Sequence, residues 1–427
     1  MIRPFFVLAL VVATLSGCAG DPVRPPSCPA CPACPAEAPA KPAEKPLQPA
    51  AWPDLPGWEA DDLRPAFESF RASCAVLEKR PLWTATCAAA REAGVTRAET
   101  AESLRAWFEA WFRPWALVNP DGSREGLVTG YYEPVLKGSR TRQPAYLNPV
   151  FGPPSDMVVV DLAELYPELK HMRLRGRIEG RRLIPYFSRA QWSDLAVQEP
   201  ARLPDALLWI DDPLDLFFMQ IQGSGQVQLD DGTRVRLGYA DQNGHPYRSI
   251  GKRLVEQGEM KAHESSMQNI KAWAWAHPQR VQELLNANPS LVFFRELPAE
   301  GIGPPGALGV PLTPERSIAA DPRHLTLGAP VFLATTWPNG NDGKPLKKLA
   351  GPPQEFLGPL GGGRGEAAPS GGALNRLMLA QDTGGAIRGV VRADFYWGSG
   401  PEAGAQAGKM RQKGQMWILM PRAYAPN

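Results

Sequence analysis

The segment Gln381–Gly408, QDTGGAIRGVVRADFYWGSGPEAGAQAG, constrains the architecture of this chain more than any other stretch. Its middle, Val390 to Trp397, is rich in β-branched and aromatic residues and predicts a strand. Glycines close it on both sides: Gly384 and Gly385 before it, then Gly398, Gly400, Gly404 and Gly408 after it. Such punctuation is incompatible with a long helix. Inside the strand lies Asp394, and at the turn twelve positions upstream lies Asp382. A lone aspartate beside glycine ordinarily caps its own turn. A carboxylate set among Val, Phe, Tyr and Trp is costly unless paired, hydrogen-bonded or protonated, which makes Asp394 a functional candidate.

The rest of the chain has the same texture. Its 427 residues give room for two domains, and 46 prolines with 41 glycines favour turn-rich β structure over helical bundles. A net charge of +2 gives no reason to expect nucleic acid as a partner. Short strands are expected at Leu127–Glu133, Val158–Val160, Leu183–Phe187, Leu207–Ile210 and Leu216–Ile221, and again from Leu291, Val310, Val331 and Met416. The run from Phe217 through Leu229 and Asp231-Gly232 to Leu237 predicts a hairpin, whose alternation would put Gln220, Gln222 and Ser224 on one polar face. Tyr131, Tyr132 and Glu133 fit a platform for sugar rings as well as an ordinary edge strand.

Helices are expected between Asp61 and Ala93, broken near Pro81, with Cys74 and Cys87 placed to join the two halves by a disulfide. Thr96 and Glu99 have capping-box spacing ahead of a stripe of Leu104, Trp107, Phe108, Trp111 and Phe112, which reads as core. Further short helices are expected over Ser249–Gly258, Ser265–Trp275 and Pro278–Asn286.

The N-terminus carries Arg3, an apolar run from Phe5 to Leu15, and Leu15-Ser16-Gly17-Cys18, which resembles a bacterial lipobox with Cys18 as the lipidated residue. An ordinary cleaved signal is the alternative. Ala19 and Gly20 follow, with no aspartate of the kind that retains lipoproteins at the inner membrane. Proline then recurs to Pro56 as a polyproline-like tether of about 35 residues, roughly 110 Å if extended. Cys28, Cys31 and Cys34 lie in it without a fourth ligand. Five scattered histidines, with no HExxH, phosphate loop or dinucleotide fingerprint, give no reason to expect a metal or cofactor.

QDTGGAIRG…RADFYWGSGPEAG, together with Ala320-Asp321-Pro322, closely resembles the three-aspartate signature of the membrane-bound lytic murein transglycosylase A family. So do Gly130–Pro134, Gln220–Gly225, Gly238–Lys252 and Asn288–Phe294, in the same order. The proline tether, a Gly361–Gly372 insertion and the arginine-rich stretch Arg173–Arg182 depart from the pattern without touching the signature.

The resemblance implies a mainly β protein with flanking helices. Residues 1–17 would be the lipoprotein signal and 18–56 the tether. A discontinuous double-psi β-barrel domain would comprise 57–136 plus 287–427, with 137–286 as an inserted β-domain and a groove between the two. It implies non-hydrolytic cleavage of peptidoglycan glycan strands, with Asp394 as the acid/base, Asp382 nearby and Asp321 as the third signature aspartate. Tyr131, Tyr132, Glu133, Gln220, Gln222 and Ser224 would line the groove. The setting implied is the periplasmic face of the outer membrane, alongside the complexes of wall synthesis or division. Two rivals stand beside it: a hydrolase using Asp382 and Asp394 as a pair, and a non-catalytic wall-binding lipoprotein.

Overall fold

A computed structural model of the chain describes residues 45–93, 100–172, 174–298, 303–338 and 372–425. Cys18, Cys28, Cys31, Cys34, Thr96, Glu99 and all of the Gly361–Gly372 insertion but Gly372 lie outside the described residues. The architecture is mainly β with helices packed against it.

The strands run β1 (Leu47–Pro49), β2 (Phe112–Leu117), β3 (Gly126–Glu133), β4 (Val135–Ser139), β5 (Asn148–Phe151) and β6 (Val158–Val159). Then come β7 (Arg175–Glu179), β8 (Arg182–Pro185), β9 (Ala206–Ile210), β10 (Ser224–Leu229), β11 (Arg234–Gln242) and β12 (Val292–Leu297). The last five are β13 (Ser317–Ala320), β14 (Pro330–Thr336), β15 (Ala373–Asp382), β16 (Arg392–Ser399) and β17 (Arg411–Pro421). Between them stand helices α1 (Arg64–Leu77), α2 (Pro81–Ala93), α3 (Ala101–Trp111), α4 (Arg189–Gln198) and α5 (Pro213–Gln222), followed by α6 (Ile250–Glu256), α7 (Met267–Ala276), α8 (Val281–Asn286) and α9 (Gly400–Ala407).

One sheet takes eight strands in the order β1-β2-β17-β14-β15-β13-β16-β3, and a further β17–β3 pairing closes six of them into a ring. The eleven residues of β17 make this closure. Their C-terminal half pairs with β2 and β14, while Arg411 to Gly414 pair with Thr129 to Gly126 of β3. The start of β3 is packed too closely against its neighbours for side chains at Gly126 and Gly414. A Cβ on Gly126 would sit 1.6 Å from the carbonyl of Val391, and one on Gly414 would meet Val128 at 2.7 Å. The sheet buries Phe332, Leu377, Phe395, Trp417 and Phe112 of β2 with the aromatic faces of α1 to α3, among them Phe67, Phe70, Trp83 and Phe108. The sulfurs of Cys74 and Cys87 are bonded, tying α1 to α2.

A second sheet, β12-β11-β10-β4-β9-β5, has its own core around Leu136, Leu208, Met219, Val227, Leu237 and Phe294. The β10–β11 hairpin forms as expected.

Two expectations are corrected. Leu216–Ile221 is not a strand but lies in α5. Asp212 accepts the N–H groups of Leu214 and Asp215, Pro213 begins the helix, and Gly223 ends it at φ 82°. These termini, with Leu214, Phe217 and Phe218 buried at helical spacing, outweigh the β propensity of the paired phenylalanines. Gln220 and Gln222 therefore belong to a helix and Ser224 to β10. The described start of α3 is Ala101, capped by Thr100, whose hydroxyl accepts the Ser103 N–H.

Candidate active site

Asp382 and Asp394 meet through a third strand. In β13, Ala319 is the register partner of Asp394 on one side and of Asp382 on the other. Beyond Asp394 the row continues to Thr129 of β3 and then Arg411 of β17. Laterally paired residues share a sheet face, so Asp382, Ala319, Asp394 and Thr129 form one transverse line. Two strand spacings put the aspartate Cα atoms about 10 Å apart.

A bulge sets this register. Ile318 pairs with Ala380, but the next residue, Ala319, pairs with Asp382, so Gln381 is passed over. Gln381 is wholly buried instead, accepting from Ser69 and Ser317 and donating to Ser73 and the Ser69 carbonyl. In an unbulged pair Gln381 would stand opposite Ala319, and Asp382 would face the other side of the sheet.

Each carboxylate has a defined set of donors. Asp382 accepts the N–H groups of Ala307 and Thr383 on Oδ1, both at 2.9 Å, and the Tyr131 hydroxyl on Oδ2 at 3.1 Å. Asp394 Oδ1 accepts the Thr129 hydroxyl at 2.5 Å. Arg392 donates to the same Thr129 oxygen at 2.9 Å and is anchored by the carbonyls of Ala393 and Leu127. The rings of Tyr131 and Tyr396 meet at a tilt of 45° with centroids 5.2 Å apart and join Leu312, Ala319 and Ile387 in a small apolar cluster beside the row.

This surrounding raises the Asp394 pKa to about 6. Crowding of the carboxyl by protein is the main cause; the Thr129 hydrogen bond and the Arg392 charge pull the other way, and Asp382 adds a lesser upward push. Asp321 behaves oppositely. Burial works to raise its pKa, but bonds from Arg323 and the Gly389 N–H prevail and hold it well below the ordinary carboxylate range. It lies at the end of β13 and ties down the β15–β16 loop through Gly389.

Residues 127–295 match the family model described as the MltA specific insert domain, and residues 360–420 match the 3D domain. The chain is 32% identical to membrane-bound lytic murein transglycosylase A of Escherichia coli K12 over 316 residues, which is 73% of this chain and 70% of that protein. It belongs to the membrane-bound lytic murein transglycosylase A family. Among solved structures, MltA from Neisseria gonorrhoeae is 37% identical, covers 89% of this chain and 94% of its own, and superposes with a TM-score of 0.71. The lytic transglycosylase LtgG of Burkholderia pseudomallei is 42% identical with a TM-score of 0.56, covering 90% of this chain and 97% of its own. E. coli MltA with bound chitohexaose, 27% identical, gives 0.61 and covers 91% and 98%.

Of the six residues expected to line a groove, Tyr131, Tyr132 and Glu133 are buried, while Gln220, Gln222 and Ser224 are half-buried. Glu133 is fully buried, ion-paired with Arg236 at 3.0 Å and bonded to Gln226 and Ser399. It is no rim acid. Tyr132 is buried, its N–H donating to Gln222 and its hydroxyl to Met267. Gln220 accepts from the buried Arg189, which also holds the Ser290 carbonyl. Glu133 thus ties β3 and β16 of the first sheet to β10 and β11 of the second, Gln222 holds the Tyr132 backbone, and Gln220 braces α5 on Arg189 of α4. Ser224 pairs opposite Gly238 at the start of β10 and is half-buried. Tyr131 alone of the six reaches the row of aspartates. Sequence reasoning missed Thr129, Ala319 and Arg392. Thr129 was accessible to it, since strand alternation puts a residue two before Tyr131 on the same face.

Proposed function

We propose that this chain cleaves the β-1,4 bond between N-acetylmuramic acid and N-acetylglucosamine in peptidoglycan without water, leaving 1,6-anhydromuramic acid ends. The observation that carries this is Asp394, a carboxyl raised to about 6 within a fixed strand row, in a chain of this family. Ordinary glycosidases need two carboxylates, one as acid and one as nucleophile or water activator. Here Asp394 gives its proton to the glycosidic oxygen as the bond from C1 breaks. The resulting carboxylate then takes the proton of the muramic C6 hydroxyl as that oxygen bonds to C1. The acid is restored and no second base is required. Asp382, fixed by two backbone N–H groups and Tyr131, supplies nearby negative charge for the developing oxocarbenium ion. Asp321 holds the loop between the two other aspartates.

The closed six-stranded ring and the 3D match support reading residues 57–136 plus 287–427 as a double-psi β-barrel. The second sheet and the match over 127–295 support an inserted domain near 137–286. The lipobox-like sequence at Cys18 and the residues after it support a lipid anchor in the outer membrane, facing the periplasm, with the proline tether giving reach to the wall.

Full-length protein in detergent, incubated with purified sacculi, is expected to release muropeptides that mass spectrometry shows with anhydro ends. Reducing ends would make it a hydrolase, and no release a binding protein. Because the proton-loaded form is the active one, kcat/KM should be flat below about pH 6 and fall roughly tenfold per pH unit above it. A rate unaffected between about pH 5 and 8 would remove Asp394 from the acid role.

A further inference from the structure

The donor inventory around Asp394 leaves one arrangement of protons. An arginine guanidinium has donors only, so Arg392, at 2.9 Å from the Thr129 hydroxyl oxygen, must donate to it. A threonine hydroxyl has a single hydrogen. With Arg392 occupying it as an acceptor, that hydrogen is directed at Asp394 Oδ1, 2.5 Å away. If Oδ1 itself carried the acid proton, it would have to donate to Thr129, and the hydroxyl hydrogen would lose its acceptor; among the described residues the structure shows no other acceptor for it. Arg392 cannot swing away readily, because its other nitrogen is held by the Ala393 and Leu127 carbonyls.

We propose that Thr129 and Arg392 form a one-way hydrogen-bond relay that keeps Oδ1 of Asp394 as an acceptor and so reserves Oδ2 as the oxygen that delivers and recovers the proton. The inference rests on Asp394 being the acid/base. Thr129 is a positioning residue, and Arg392 acts through it. The relay also sets the state to which the carboxyl returns: whichever proton arrives from the C6 hydroxyl lands on Oδ2, ready for the next bond, without a rotation of the carboxyl group. Relay partners come from adjacent strands in register, Thr129 opposite Asp394, so the spacing is fixed by the sheet and not by a loop.

The test is steady-state kinetics of full-length variants on purified sacculi across a pH range. Thr129→Val should lower kcat by about 10- to 100-fold, the usual weight of one hydrogen bond to a charged group. It should also move the alkaline limb of the pH profile upward, since the Thr129 bond favours the carboxylate. Thr129→Ser, which keeps the hydroxyl, should recover most of the loss. Measured on the acid plateau, where the direct effect of the Arg392 charge on Asp394 protonation no longer counts, Arg392→Met should lower kcat in the same way, and the Thr129→Val/Arg392→Met pair should be no worse than Thr129→Val alone, because there the arginine works through the hydroxyl. Wild-type kcat and an unmoved limb in Thr129→Val overturn the relay, and so do additive losses in the pair. Should Thr129→Val fail to fold, the Thr129→Ser and Arg392→Met profiles decide alone: a Ser variant as impaired as Arg392→Met refutes it. An inactive Asp394→Asn beside an unaffected Thr129→Val would sink the relay and leave the acid assignment standing, whereas a fully active Asp394→Asn would sink both.

Discussion

Asp394→Asn is expected to reduce formation of anhydro-muropeptides by about 10⁴-fold or more while leaving a folded protein. General acid–base groups contribute roughly 10²–10⁴-fold, and one residue serving both bond cleavage and ring closure belongs at the upper end or beyond. The amide is nearly isosteric and can still accept the Thr129 hydroxyl, so the strand row survives. What is lost is the transferable proton. Asp382→Asn should cost less, because it removes the charge that steadies the oxocarbenium ion but no transferable proton, and an amide oxygen can partly keep the contacts with Ala307, Thr383 and Tyr131. Equal losses in the two variants would move the acid role to Asp382.

The same substitution has a stability signature whose sign follows from the raised pKa. Asp394 binds its proton more tightly in the folded chain, near 6 against an ordinary 3.8. Folding is therefore favoured while the group is protonated and loses that advantage as pH rises from about 4 through 6. Asp394→Asn should be more stable than wild type at neutral pH, by on the order of 1–3 kcal/mol, and the difference should vanish below about pH 4. A melting-temperature gap that does not close in acid would contradict the burial argument.

Glu133→Ala should act on the fold, with a loss of about 3–5 kcal/mol in denaturant unfolding, since removing one partner of a buried ion pair strands the other charge. Glu133 has no solvent exposure, and Arg236 is almost as deep. The pair stands where β3 of the ring passes into β4 of the second sheet, and Ser399, at the end of the Asp394 strand, hydrogen-bonds to the same carboxylate. Loss of Glu133 should therefore expose the second sheet as well as loosen β16. A variant as stable as wild type but deficient in glycan binding would restore the rim-acid reading that the buried position argues against.

Much of the site was legible in the sequence for a local reason. An aspartate inside Val-Val-Arg-Ala-Asp-Phe-Tyr-Trp violates its own strand, and such a violation marks function wherever it falls. The disulfide pair and the aromatic stripe of α3 were legible for the same reason, being periodic or paired over a few turns. What the sequence did not reveal depends on register. That Ala319 stands between the two aspartates, that Gln381 bulges, and that Thr129 lies beside Asp394 are all consequences of strands brought together from distant parts of the chain. Glu133 was misread because an acid before Pro134 looks exposed until Arg236, 103 positions on, is placed against it. The Leu216–Ile221 helix was misread because Phe217 and Phe218 were weighed without the Asp212-Pro213 start.

The closure of the ring by β17 on β3 has a temporal meaning. Thr129 and Asp394 lie 265 residues apart along the chain, yet they share a hydrogen bond. For the exported chain proposed above, the two halves of that contact can meet only after the whole intervening length has been delivered. Until β17 emerges, β3 has no partner on its second side, and a product that stops short of Arg411 leaves the six-stranded circuit open. Long-range pairings of this kind are slow to form because the loop must close before any contact rewards it. The acid site is thus among the last parts of the chain that can assemble, and a copy ending just short of Arg411 carries Asp394, Thr129 and Arg392 without the strand that closes the ring beside them.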